Sequence, residues 1–491
     1  MSIERKDRLT EGAQSLSRRT LHGAVWSLAS QAALALGALI TFVAMSRTVE
    51  HGELGEYMLA IVGVAAVQWL ALNAYREPVI QATTLSSAIC SSVFWFSSAV
   101  AALLAAALLT AAYYLHEHGQ WMIAASCLSV LAVKVFFDTC SSVPLALCYR
   151  DLRFPVIARL NILLAAVGLI VSIALLRTGW GVLAVAVAQS VISALSFVMI
   201  MARCRWLPQW HFSRQDLGVL RHYSPHVVLW QGIEVLNMHF DRFLVGIKLS
   251  PQLLGIYGFG RRLNDVVIEV VVGALGNVAL PTYASVRQDR AALKRAYLAS
   301  IRIATFVVFP MIGILYGVAD ELVIAVFGSK WAPAVPIYKC FLMLGAIQTI
   351  GIFQAALIRS LGHANLWARY QVAQAAANIV VLGIAIEHGI YVLAVAVVIR
   401  TCIIWIYAVT MACRLAGIRV LDYLGMFVMP ALCAVLAGVI AQGVMHLTRD
   451  VQPVAMIAGA AVIASLAYLG AALITMKSVT SDIRALIWRR S

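Results

Sequence analysis

Ionisable side chains crowd one stretch that otherwise looks fit to cross a membrane. Residues Ser224 to Glu269 read as two long apolar segments joined by the tight link Leu249–Gln252, yet they hold Glu234, His239, Asp241, Arg242, Arg261, Arg262, Asp265 and Glu269. At membrane depth a charge costs about 2.5–3.5 kcal/mol even on the lenient insertion scale. Such groups therefore gather around water, around one another or around a polar ligand. On a helix, Arg261, Asp265 and Glu269 recur every fourth residue and stack on one face beside Arg262. Glu234 and Asp241, seven apart, share a face with Arg242 adjacent, and Lys134 and Asp138 repeat the four-residue spacing. Two chemistries fit these patterns. One is a set of buried ion pairs that fix helix register; the other is a hydrated central cavity where cations hold an anion and acids carry coupling ions or protons. Helices in both halves contribute charge, which points to the cavity.

Outlying polar residues each carry two readings. Arg76, in Arg76-Glu77-Pro78 at the cytoplasmic end of the second span, would meet an incoming headgroup or snorkel at the interface. Arg400 is deep in an apolar run and reads as cavity-facing, whereas Lys339 reads as interfacial and Asp320-Glu321 as solvated. Gln348 and Gln354 suit sugar hydroxyls or helix–helix contacts, and His239 reads as a packed histidine. No G-x-x-x-x-G-K-[ST], H-E-x-x-H or G-x-S-x-G occurs, nor any Cys/His cluster. No ATPase, metal or cofactor is expected. The nine cysteines form no C-x-x-C pair and read as small buried hydrophobes.

The elements holding these groups follow from composition. Of 491 residues, 62% are hydrophobic and 12% charged, with mean hydropathy +0.89. A soluble chain carries about a quarter charged residues, so the reading is an all-α polytopic membrane protein. Runs of about 20 apolar residues predict fourteen spans, among them 54–74, 225–248, 253–282 and 300–327. The net charge of +15 could suggest nucleic acid, but Lys and Arg fall in short links: 26 on one face against five on the other. That bias makes the richer face cytoplasmic, places both termini there, and excludes a nucleic-acid partner.

The halves repeat. Leu54, Gly55 and Tyr57 recur as Leu254, Gly255 and Tyr257; VLAVAV at Val182–Val187 recurs at Val392–Val397; and Ala158-Arg159 matches Ala368-Arg369. The offsets of 200 and 210 residues imply two parallel six-helix repeats plus two C-terminal helices. The expected layout is a cytoplasmic segment over 1–22, lobes over 23–203 and 225–413, a linker over 204–224, two further spans within 425–476 and a cytoplasmic tail over 477–491. Trp206, Trp210, Phe212 and Leu217, interleaved with arginines, suggest that the linker lies on the cytoplasmic leaflet.

Three motifs carry a resemblance: SRTVEHGELGEY from Ser46, YRDLRF from Tyr149, and DRFLVGIKLSPQLLGIYGFGRRL from Asp241. Over roughly residues 20–415 the chain resembles the polysaccharide-transport (Wzx-like) branch of the MOP exporter superfamily. That resemblance implies two six-helix lobes flanking a cavity that opens alternately to each side of a bacterial inner membrane. The implied cargo is a polyprenyl-diphosphate-linked oligosaccharide for exopolysaccharide or O-antigen assembly, with membrane lipid and coupling Na⁺ or H⁺ as partners and a polysaccharide polymerase and export machinery downstream. Because the motifs are structural in that family, the cavity residues come from the charges. Arg and Lys replace the water of a diphosphate, which nominates Arg261, Arg262, Arg242, Lys134, Arg76 and Arg400. Asp138, Asp241, Asp265, Glu269 and Glu234 are the candidates for ion coupling. A multidrug exporter of the same superfamily would want an acidic pocket for organic cations, and a polymerase or ligase a large external loop. The several intramembrane cations argue against the first, and no large external loop is available for the second.

Overall fold

The computed structural model describes residues 26, 29–68, 72–82, 85–119, 121–151, 153–204, 206–218, 225–448 and 452–475. Among them, regular structure is helical throughout, as a bilayer demands, because lipid offers backbone groups no partners. The helices are α1 (Ala29–Thr48), α2 (His51–Gln68), α3 (Leu72–Gln81), α4 (Ser87–Glu117), α5 (Met122–Cys140), α6 (Ser142–Arg150), α7 (Phe154–Arg177), α8 (Leu183–Arg203) and α9 (Pro225–Lys248). They continue with α10 (Pro251–Ser285), α11 (Arg290–Gly317), α12 (Ala319–Phe327), α13 (Val335–Ser360), α14 (Ala364–Ala377), α15 (Ile390–Ala416), α16 (Val420–Leu447) and α17 (Pro453–Thr475).

Eleven helices among the described residues are long and apolar enough to cross a membrane. Hydropathy predicts fourteen. The three outside the eleven correspond to α2, α9 and α10: α2 opens with His51, Glu53 and Glu56, α9 carries Glu234, His239, Asp241 and Arg242, and the side chains of α10 over 269–278 lie outside the described residues. Within the second predicted span, 54–74, helix is described to Gln68 and again from Leu72. One predicted boundary shifts. The ninth, expected over 300–327, starts ten residues sooner, because Asp289 caps α11 by accepting from the amides of Ala291 (2.9 Å) and Ala292 (3.0 Å). It ends at Gly317, and α12 is a distinct helix.

The chain forms two compact units, Met1–Leu236 and Asn237–Ser491. In the first unit α2, α4 and α8 pack on α5, and α7 packs on α8. In the second, α10, α11 and α15 pack on α13, and α14 packs on α15. Matched in chain order, these are the same contacts twice. Helices α1 and α9 end at residues 48 and 248, and α2 and α10 begin at 51 and 251, the offset of the Leu-Gly-x-Tyr repeat. That is the duplication expected from sequence, expressed as packing.

The last two helices join the second unit through close backbone approach. A Cβ on Gly313 would come within 2.2 Å of the Ala434 carbonyl oxygen, and one on Gly317 within 2.3 Å of that of Gly438. Glycines four apart on α11 therefore let α16 lie against its backbone, as small residues do between membrane helices, and α17 packs on α16. Polar contacts reinforce the joint. The hydroxyls of Tyr297 and Tyr423 are 3.1 Å apart, and Gln354, buried, donates to Tyr423 at 3.2 Å. Of its two sequence readings, Gln354 takes the helix–helix one.

The linker, described over 206–218, is strapped to the start of α4. Trp206 donates to Ser87 (3.2 Å), the amides of Gln209 and Ser213 donate to Ser91 (3.0 Å) and Ser92 (3.1 Å), and Ser92 donates to Asp216 (2.7 Å). Trp210 stacks on Trp95 with centroids 4.6 Å apart while remaining exposed.

Replacing Gly313 by Val is expected to cost about 1–3 kcal/mol or more through overpacking, seen as a lower unfolding temperature in detergent. Gly443→Val, on α16 with nothing within 4 Å, should leave that temperature nearly unchanged. Equal effects would contradict the close α11–α16 contact.

Candidate functional site

The motif DRFLVGIKLSPQLLGIYGFGRR folds as a helical hairpin. Helix α9 ends at Lys248, Ser250 caps α10 by accepting from the Leu253 amide (3.3 Å), and Pro251 takes the first helical position, where its missing N–H is not needed. At 1.5 Å per residue, Asp241 sits about 14 Å back from this turn, while Tyr257 and Arg261 sit about 10 and 16 Å beyond it. The two arms thus bring them level. Glycines finish the placement. A Cβ on Gly260 would press within 3.0 Å of the Tyr338 amide and the Ile337 side chain, so α10 lies tight against the start of α13. Arg261 then sits 4.9 Å above the Phe341 ring, a cation–π contact.

Four charges interlock here. Asp241, 3% exposed, accepts from the Tyr257 hydroxyl at 2.8 Å, from Arg261 Nη1 at 3.0 Å and from the backbone amide of Arg242 at 2.9 Å. Asp265 pairs with Arg242 through Nη2 and with Arg261 through Nε, the latter at 3.5 Å. Two acids and two bases make a neutral cluster, which is how buried charge becomes tolerable. Hydrogen-bonding capacity remains. Among the described residues, Arg242 Nε and His239 Nδ1 are buried without a hydrogen-bond partner, and Arg261 Nε has only its 3.5 Å ion pair. Arg400 is 6% exposed, with Nε and Nη1 likewise unpartnered, and lies within electrostatic reach of Asp241, Arg261, Tyr370 and Tyr257.

The other nominated residues lie apart or in different settings. Lys134 Nζ is 2.5 Å from Asp138 Oδ2, which also accepts from Gln68 at 3.0 Å; both side chains of the pair are about a quarter exposed. Arg262 is half-buried, and Glu234 is exposed where Asp241 is sealed, so the expected shared face is not a shared environment. Glu269 belongs to α10, but its side chain lies outside the described residues. Arg76 lies 5.5 Å over the Tyr149 ring. In the YRDLRF motif, Arg150 Nη1 donates to the carbonyls of Val79 (3.2 Å) and Ala82 (2.6 Å) at the end of α3. This motif therefore ties α3 to α6. Lys339, read as interfacial, and Asp320, read as solvated, form an ion pair at 2.5 Å with Asp320 half exposed. The cysteines are free, seven buried and two half-buried, matching their reading as small hydrophobes.

Spacing alone revealed the pairs within one helix, Lys134–Asp138 and Arg261–Asp265. It could not reveal Arg242–Asp265 or Arg261–Asp241, which depend on how the hairpin arms face. Tyr257 was visible only as a repeat residue; its counterpart Tyr57 accepts from Gln189 at 2.6 Å. Neither Asn264, fully buried with both amide atoms unpartnered, nor the Asn378–Asn237 bond at 2.9 Å carried a sequence signal.

The sequence profile of a family described as polysaccharide biosynthesis protein matches residues 44–336. The succinoglycan biosynthesis transport protein ExoT of Rhizobium meliloti (strain 1021) is 25% identical over 338 residues, which span 66% of this chain and 66% of that protein's length. Among solved structures, the lipid II flippase MurJ in an inward closed conformation superposes with TM-score 0.72 at 14% identity, over 94% of this chain and 99% of its own. An inward-facing multidrug resistance MATE family transporter of the MOP superfamily gives TM-score 0.62 at 13% identity, over 80% and 98%. These structures establish a shared transporter fold.

The burial of the cluster orders its energetics. Arg261→Met strands Asp241 in the interior and is expected to cost about 3–5 kcal/mol. Tyr257→Phe removes one of three donors and should cost about 1–3 kcal/mol. Lys134→Met breaks a partly exposed i,i+4 pair and should cost under about 1 kcal/mol. Thermal unfolding in detergent ranks the three, and a reversed order would show that the hairpin cluster is not the tighter one.

Proposed function

The chain belongs to the polysaccharide biosynthesis protein family, and from that premise we propose that it is a flippase for polyprenyl-diphosphate-linked oligosaccharides. It moves each unit from the cytoplasmic to the outer leaflet of a bacterial inner membrane for exopolysaccharide or O-antigen assembly. The observation that carries this reading is the sign of the buried charge: Arg242, Arg261 and Arg400 lie deep in one helical unit, suited to an anionic diphosphate. A multidrug exporter built for organic cations would gain nothing from them. Arg261, Arg262, Arg242, Arg400, Lys134 and Arg76 hold the substrate's phosphates in turn as two lobes alternate access. Asp138, Asp241, Asp265, Glu269 and Glu234 take up Na⁺ or protons and return the protein to its starting state. Catalysis is not part of the role; a polymerase and export machinery act on the delivered units.

In this orientation both termini are cytoplasmic, so a periplasm-active reporter fused after Thr178 should be active and one fused after Asp289 silent. Deleting the gene should trap radiolabelled lipid-linked repeat units facing the cytoplasm, and Arg262→Gln with Arg400→Gln should restore export at least about tenfold less well than wild type at equal protein level. Single units stranded on the outer face would indicate a polymerase or ligase. Unchanged precursor with altered drug resistance would indicate a multidrug exporter.

A further inference from the structure

The two carboxylates of the hairpin cluster are not equivalent. Asp241 is sealed, its side chain 4% exposed, and accepts from a hydroxyl, a backbone amide and a guanidinium. Asp265 is 26% exposed, and its two oxygens are divided between two guanidinium groups, Arg242 on Oδ2 and Arg261 on Oδ1. A single anion bridging two arginines is the arrangement guanidinium forks give to phosphate as readily as to carboxylate. Donor capacity in this group is unspent: Arg242 Nε, and Nε and Nη1 of Arg400, which lies within electrostatic reach of Arg261 and Asp241, are buried without hydrogen-bond partners among the described residues, and Arg261 Nε meets Asp265 only at 3.5 Å. Counting formal charges, Arg242, Arg261 and Arg400 against Asp241 and Asp265 leave the group one positive charge in surplus. A buried charged donor left unpaired is costly, and a carboxylate has too few oxygens to satisfy three guanidinium groups. A diphosphate has enough.

We infer that Asp265 is the resident occupant of an anion site formed by Arg242, Arg261 and Arg400, standing where a phosphate of the substrate binds and exchanging with it during transport. Asp241 remains in place as the fixed counter-ion that holds Arg261. The inference rests on the flippase reading for the identity of the natural anion, but not for the existence of the site. The exchange gives the cycle two stable ends. With Asp265 in, the arginines are neutralised and the empty protein tolerates their burial. With the diphosphate in, Asp265 is displaced toward solvent and later competes the product off. The internal competitor lowers apparent affinity by the fraction of time it holds the site, so that release stays fast.

The test uses the full-length chain in lipid nanodiscs, with inorganic pyrophosphate and polyprenyl diphosphate as separate probes. Asp265→Asn, which cannot compete, should bind pyrophosphate about tenfold more tightly than wild type. Arg400→Gln should bind it about tenfold more weakly while unfolding at the same or a higher temperature, since it removes an uncompensated buried charge. Should Asp265→Asn fail to fold, the Arg400→Gln pair of measurements decides alone. Pyrophosphate affinity unchanged or weakened in Asp265→Asn overturns the inference, as does unchanged affinity or a clear loss of stability in Arg400→Gln. Tightening seen for polyprenyl diphosphate as well as pyrophosphate locates the shared determinant in the phosphates; tightening with pyrophosphate alone still supports the site but assigns it to a free anion. If wild type flips precursor while Asp265→Asn shows no tightening, this inference falls and the transport reading stands. If the variant tightens but no precursor is flipped, the reverse holds.

Discussion

Neutralisation of charge at membrane depth is the constraint on which the second unit is built. An arginine alone inside a bilayer is expensive by any scale, and two acids facing two arginines across a helical hairpin remove that expense. The hairpin owes its register to a serine cap and a proline at the turn, its closeness to α13 to Gly260, and the position of Arg261 to the Phe341 ring. Together these local features keep the four charges in contact.

Duplication supplied two copies of one packing scheme, and the copies have diverged in chemistry. Tyr57 and Tyr257 occupy corresponding places in the repeat. Tyr57 accepts from the neutral amide of Gln189, whereas Tyr257 donates to the buried carboxylate of Asp241. The first unit's own ion pair, Lys134–Asp138, lies along a single helix and is partly exposed. A scaffold that repeats its helix contacts while varying the polar groups hung on them can specialise one unit without disturbing the other's fold. Helices α16 and α17, which have no counterpart in the first unit, attach through glycines on α11 and leave the repeated contacts intact.

A fold shared with both a lipid II flippase and a multidrug transporter does not choose between cargoes. What separates such readings is the chemistry of a few interior groups, and among the described residues the fully buried charges are Arg261 and Arg400 against Asp241. The glycine and serine of the hairpin motif, by contrast, are accounted for by helix packing and capping.

Composition and hydropathy alone determined that this is a helical membrane protein, because a long apolar chain in lipid has no other way to satisfy its backbone. Offsets of 200 and 210 residues revealed the duplication, because homologous helices must keep their order, and four-residue spacing revealed the pairs Lys134–Asp138 and Arg261–Asp265, because the α-helix fixes which residues are neighbours along its own face. Tertiary structure decided the rest. Arg242 meets Asp265, Arg261 meets Asp241, Tyr257 completes the carboxylate's shell and Arg400 is left over, all through the rotation of one helix against another. That rotation is set by which small residues permit close approach, such as Gly260, and by rings such as Phe341. Pattern along one helix carries no information about it, since the same spacing of charges would suit any rotation until a neighbouring helix is packed against it.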